Sequence, residues 1–157
     1  MPNTLLNRHK SADFLHRSQQ LLSQDLINAY LHTHYKVSTN PPFSLIIGQL
    51  CVELAHIFST TEQKTAAFIS AWNPCSFMLN NELNSLRHKQ LLTDISALGY
   101  IGIEGWGEAT DNDYDGEQSV FILGISAKEA IDLGQQYEQN AIVFCHQQAI
   151  PELVILR

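Results

Sequence analysis

The chain reads as an α+β protein with a ferredoxin-like, split βαβ core: a mainly antiparallel sheet with helices on one face, plus an N-terminal helix and extra edge strands. Three observations predict this. From Ala66 onward the segments run strand, helix, strand, strand, helix, strand. The second helix opens on Ser126-Ala127-Lys128-Glu129, a capping box in which the Ser hydroxyl and the Glu carboxylate satisfy unpaired amide donors. The first closes on Gly99, the residue type that ends helices in left-handed backbone. With 157 residues and no internal repeat or linker, we assign one domain, 1–157. It divides into an amphipathic N-terminal helix over 1–28 and an α+β core over 29–157.

Each element has its own signal. Phe14, Leu15, Leu21, Leu22, Leu26, Ile27 and Tyr30 recur at three- and four-residue spacing, which predicts a helix from about Ser11 to Leu31. Pro41-Pro42 interrupts regular structure, and Phe43 to Ile47 reads as a strand closed by Gly48. Leu50 to Phe58 is a short helix and Ser59 to Gln63 a loop. Ala66 to Trp72 is a strand, and Asn81 to Leu98 a helix with Leu83, Leu86, Leu91, Ile95 and Leu98 as its buried stripe. A strand near Tyr100 to Ile103, an acidic loop and a strand Ser119 to Ile125 follow. The capped helix runs to about Tyr137, and Ala141 to Cys145 and Leu153 to Leu156 are short strands. The strands at Phe43 and Leu153 extend the sheet edges.

An apolar share of 45% supports a single core without staples. The formal charge of −7 argues against nucleic acid as a partner, because affinity for phosphates comes from Lys and Arg displacing counterions. Cys51, Cys75 and Cys145 are odd in number and widely spaced, which points to a reducing compartment. No signal peptide and no membrane-spanning run is legible, so we expect a cytoplasmic protein.

Two amide-bearing junctions are the candidate site. Phe68-Ile69-Ser70-Ala71-Trp72 stops at Asn73-Pro74-Cys75-Ser76, and a helical segment gives way at Gln139-Asn140 to Ala141-Ile142. Asn73 would aim its amide at a ligand from a strand end, with Ser76 and the next helix start offering donors; Asn84 lies one turn further on. Gln139 and Asn140 would read a base, an amide or a sugar without ionising. Each has a structural reading too: Asn before Pro bonds its own backbone in turns, and Asn ends helices. Asn80 or Asn81 reads as an N-cap. Glu117, beside a strand entering the core, is the candidate general base, with Glu108 as alternative.

The words around these junctions resemble a known family. Ala29-Tyr30-Leu31-His32-Thr33-His34-Tyr35, the stretch Phe68 to Ser76 with Asn80, Asn81 and Asn84, Glu117-Gln118-Ser119, and Gln139-Asn140-Ala141-Ile142 resemble the bacterial family termed domain of unknown function 3293. The resemblance spans roughly Tyr30 to the C-terminus and carries over no catalytic role. One departure is Tyr137-Glu138-Gln139-Asn140, where the family pattern is Phe-Gly-Gln-Asn.

Other constellations are weaker. Asp111-Asn112-Asp113-Tyr114-Asp115-Gly116 copies the start of an EF-hand loop, but its twelfth position is Ile122 where a bidentate Glu is required. Cys75 before a helix start would make a nucleophile without an identifiable helper. His32, His34, Cys51 and His56 lack diagnostic zinc spacing, so we expect no metal and no cofactor. Trp72 and Trp106 suit stacking or core packing. Arg8-His9-Lys10 with Arg17, and Arg87-His88-Lys89, read as solvated helix faces. The leading expectation is binding of a small polar or nucleotide-like ligand in an Asn/Gln-lined cleft. The alternatives are a hydrolase or transferase using Glu117 as base, and a protein-interaction or regulatory module acting as a homodimer.

Overall fold

The computed structural model describes residues 23–109 and 116–157. The expected helix before Ser23, the basic cluster Arg8 to Arg17 and residues 111–115 of the acidic loop lie outside the described residues. The elements are α1 (Gln24–Leu31), β1 (Thr33–Val37), β2 (Phe43–Leu45), α2 (Val52–Thr60), β3 (Ala66–Ser70), a short 3-10 turn (Pro74–Ser76), α3 (Asn81–Ala97), β4 (Gly102–Ala109), β5 (Gln118–Leu123), α4 (Ala127–Gln136), β6 (Ala141–Cys145) and β7 (Pro151–Ile155).

The strands form one antiparallel sheet in the order β2-β1-β4-β5-β3-β6-β7. β2 and β7 hold the two edges, as expected of the strands at Phe43 and Leu153. β1, absent from the predicted order of elements, pairs with β4 from Thr33↔Ala109 to Val37↔Gly105. Gly105 lets these strands meet: a Cβ there would stand 2.4 Å from the Lys36 carbonyl oxygen.

Helices cover both faces, which corrects the expectation of one. α3 and α4 bury Leu91, Ile95, Ala130 and Leu133 against Ala67, Ile69, Val120 and Ile122. On the other face, Leu54 and Phe58 of α2 join Tyr35, Phe43, Phe68, Phe121 and Val143. The reason is in β3, where Ala66 to Ile69 are all buried. A strand without a polar side needs a layer above and below it.

The predicted boundaries of α3 and α4 rest on the expected groups. Ser126 Oγ accepts the Glu129 N–H at 3.2 Å, Asn80 Oδ1 accepts the Leu83 N–H at 2.8 Å, and Gly99 takes φ +90° after α3. The buried stripe of α3 differs from the expected one. Leu83, Leu86 and Leu98 are exposed, while Asn84, His88, Leu91 and Ile95 face inward. Partners on distant segments make this face acceptable: Asn84 meets Asn73, and His88 Nε2 lies 2.7 Å from Glu104 Oε2.

The core also titrates. Burial, then the proximity of Cys51 and Glu152, pushes the Cys145 thiol up from 9.0 to about 12. Burial likewise raises the phenols of Tyr35 and Tyr137 above 10.0. A group raised in the folded state contributes stability that is present below its unfolded pKa and lost as pH climbs toward its folded one. The melting temperature is therefore expected to hold from pH 7 to about pH 9 and fall between about pH 9 and 12. Circular dichroism melts across that range measure it, and Cys145→Ala should soften the first part of the fall.

Candidate functional site

β3 hands over to α3 through left-handed backbone at Asn73 (φ 44°), Cys75 (φ 52°) and Ser76 (φ 62°), and Glu138 (φ 56°) repeats this at the second junction. Such backbone costs about 1–2 kcal/mol at a residue with a Cβ, so the surroundings must hold it. They do. Asn73 Oδ1 accepts the Leu79 N–H at 3.0 Å and Asn84 Nδ2 at 2.9 Å, while the Asn73 N–H donates to Asn84 Oδ1 at 2.9 Å. Gln139 Nε2 donates to the Trp72 carbonyl at 3.0 Å, and the Cys75 N–H to the Glu138 carbonyl at 2.7 Å. Arg87 ties both turns, with Nε on Ala71 O at 2.8 Å and Nη2 on Tyr137 O at 2.7 Å.

Beside these turns lies a cavity of about 470 Å³. Its floor is the sheet face opposite α3 and α4, where strands present alternate residues: Thr33 and Tyr35, Phe68 and Ser70, Gly107 and Ala109, Ala141 and Val143. Small side chains on β4 and at the ends of β3 and β6 leave the hollow unfilled. α1 supplies Leu26, Ala29 and Tyr30 to its wall. That helix has no buried residue and starts on a Ser23 cap.

Asn73, Ser76, Glu117, Gln139 and Asn140, all singled out from sequence, line this cavity. Asn84 does not; it stands behind Asn73 as its support. No residue of α3 reaches the wall, so the helix start offers no donors there. The polar side chains connect: Asn73 Nδ2 donates to Glu117 Oε1 at 3.0 Å, and Asn140 Nδ2 to Ser76 Oγ at 2.8 Å. Asn140 Oδ1 is buried without a hydrogen-bond partner among the described residues. Asn73 and Gln139 thus have dual roles, since their amides stitch backbone while their side chains border the hollow.

Sequence reasoning missed Tyr30 and Tyr35. Burial is the main cause that raises the Tyr30 phenol above its ordinary pKa; Asn140 opposes this by hydrogen bonding, the charge of Glu117 adds to it, and Ser76 opposes it. Tyr35 donates its hydroxyl to the Tyr30 carbonyl at 2.8 Å. The available signal was the word Ala29 to Tyr35, in which Tyr30 was assigned to the apolar stripe of a helix.

Apart from His32, which also borders the cavity, the remaining candidates fall elsewhere. Glu108 pairs with Lys36 at 2.8 Å, and that hydrogen bond holds its carboxyl below the usual range. Cys75 sits in the 3-10 turn and not at a helix start. His32 caps the C-terminus of α1, so His32 and His34 share no strand, and no group of three metal-binding side chains gathers among the described residues. Trp72 buries its Nε1 without a partner among the described residues, and Trp106 is partly exposed on β4. Arg87 and His88 point inward, which corrects the reading of a solvated basic face.

Residues 69–142 match the family model described as protein of unknown function, DUF3293. Over that stretch the chain is similar to the family. The DUF3293 segment runs from the end of β3 into β6, so it contains both turns, Glu117, Gln139 and Asn140, while α1 with Tyr30 lies outside it. No curated protein and no solved structure shows a match. Glu138, where the resemblance leads to the expectation of a glycine, falls on left-handed backbone, in which glycine is free of strain. Its carboxylate stands 3.8 Å from Arg87 Nη1, so the added charge is turned to the turn-binding arginine.

Proposed function

We propose that this domain binds a small organic molecule with a polar head and an apolar body in the cavity between the sheet and α1. One observation carries the reading: two junctions some 65 residues apart in sequence bring Asn73, Ser76, Gln139 and Asn140 to a single hollow, joined there by Glu117. Its volume is in the range of pockets that enclose small ligands, and apolar walls with a few converging polar groups are what such pockets have. Strained backbone concentrated at both turns adds support, since strain persists where function requires the geometry. The order β6-β3-β5-β4, with α3 and α4 as connections, supports reading the core as a ferredoxin-like split βαβ unit. Three free thiols favour a reducing, cytoplasmic setting.

A second reading, turnover of the ligand with Glu117 as general base, draws on that carboxylate's place in the cavity wall. It requires the molecule to leave changed, which mass spectrometry after incubation reads. A third, an interaction module, draws on Phe77, Met78, Leu83 and Leu86, all exposed.

Thermal-shift screening with nucleosides, sugars, amines and divalent metals tests the binding reading. A ligand at a hundred times its Kd adds about 2.7 kcal/mol, a rise of roughly 5–10 °C for a chain of this size. Ala29→Trp, at an exposed wall position on α1, should abolish the rise with the far-ultraviolet spectrum unchanged. A panel without any stabilising compound, or a Trp variant that still responds fully, would overturn it.

A further inference from the structure

The outward face of α3 is left without a covering layer, and its residues indicate what covers it. Leu83 and Leu86 are 47% and 62% exposed there, while Asn84, His88, Leu91 and Ile95 of the same helix already face the core. The loop leading into α3 exposes Phe77 and Met78 as well. Single exposed leucines are ordinary, but a concentration of large apolar side chains is a mark of association surfaces. Two charged side chains accompany them. Of the five on α3, Arg87 is engaged with two backbone carbonyls, His88 with Glu104 and Asp94 with Tyr137, which leaves Glu82 and Lys89. Both are exposed, and neither has an ion-pair partner among the described residues. Seven residues apart, they stand about 10 Å from each other along the helix axis, too far to pair within one copy. A shallow hollow beside them is lined by Asn81, Glu82, Ser85, Leu86 and Lys89.

We propose that a second copy of this chain docks on this face, α3 packing antiparallel against α3 about a two-fold axis level with Ser85 and Leu86. A two-fold interface brings the same patch together from both copies, so the patch must complement itself. This one does. Glu82 and Lys89 stand equally far from the axis on opposite sides of it, so each Glu82 meets the other copy's Lys89 and both pairs form at once. A parallel pair would instead set Glu82 against Glu82 and Lys89 against Lys89. Leu86 of each copy enters the shallow hollow beside the other's Ser85, as the side chains of one helix fill the grooves of another. Further along, the exposed residues Thr93, Ser96 and Ala97 are small, and there the antiparallel arrangement brings the other copy's Phe77 and Met78. The proposal supplies a partner for the interaction reading above. It is independent of what the cavity holds, although Met78 borders both surfaces.

Sedimentation velocity of the full chain from micromolar to submillimolar concentration tests it. A monomer–dimer equilibrium is expected. Glu82→Lys and Lys89→Glu should each weaken the dimer about tenfold or more, because like charges then face each other twice. Mixing the two variants, one carrying two lysines on this face and the other two glutamates, should restore association, since every contact between unlike copies is again a pair of opposite charges. Leu86→Lys should leave only monomer. All three positions are exposed, so the far-ultraviolet spectra should stay those of the unaltered chain. A chain that is monomeric throughout, or a dimer that survives Leu86→Lys or ignores the single reversals, overturns the proposal and leaves the exposed leucines to residues 1–22 or to a different protein. A mixture no more associated than its components overturns the reciprocal pairing on which the proposal stands. None of these outcomes alters the thermal-shift test of the cavity.

Discussion

Arg87→Ala should lower the stability of the protein by about 3–6 kcal/mol, the sum expected for two hydrogen bonds from a charged donor. The guanidinium reaches the carbonyls of Ala71 and Tyr137, both buried residues, and lies over the Tyr137 ring at 5.7 Å. Truncation leaves two buried acceptors without these donors and removes the link between the turn after β3 and the turn before β6. Lysine is not a substitute, because one ammonium on a flexible stem cannot reproduce a planar fork aimed at two carbonyls. Urea denaturation of Arg87→Ala and Arg87→Lys measures this. Both midpoints should fall, alanine further, and any ligand affinity should fall with them because the two halves of the cavity rim lose their common anchor. A midpoint within about 0.5 kcal/mol of the unaltered protein, the range of ordinary surface changes, would contradict the role.

Asn84→Ala is expected to cost about 2–4 kcal/mol through a different route, the orphaning of buried polar groups. Asn84 is 1% exposed, and its carboxamide is the sole described acceptor for the Asn73 N–H and a donor to Asn73 Oδ1. Its loss removes the side chain that both accepts from the Asn73 backbone and donates to the Asn73 carboxamide, one of several ties on this left-handed turn. The contrast is Asn80→Ala on the same helix, which removes one exposed cap and should cost only about 1 kcal/mol. Chemical denaturation of the pair gives the comparison. Equal losses would mean that the reciprocal Asn73–Asn84 pair adds nothing beyond a surface cap.

Much of the fold was legible because its signals are local. The Ser126 capping box, the Asn80 cap and Gly99 act within one helical turn, so α3 and α4 begin and end where a short window says they should. β3, β5 and β6 are apolar runs between breakers, and both edge strands were visible in the same way. Where the reading of α3 failed, the reason was its pattern: leucines lie around much of the helix, and those at 83 and 86 were a plausible face. The face that is buried carries Asn84 and His88, whose partners Asn73 and Glu104 are distant or on another strand. β1 escaped notice because its histidine and lysine look solvated, and only pairing to both β2 and β4 makes it a strand.

The residue types at the two junctions, and the prediction that they matter together, came from sequence alone. So did the element order from Ala66 onward, the net charge that disfavours polyanions, and the choice of Glu117. Tertiary structure decided what those residues do. Hydrogen-bond partners contributed from other segments turned Asn84 into a support and not a contact and set Asn73 and Gln139 to hold backbone, and the fold brought Glu117 and Asn140 to the wall of a hollow that Tyr30 also lines. A side chain's identity fixes how many donors and acceptors it brings, but which of them remain for a ligand depends on neighbours that only folding supplies.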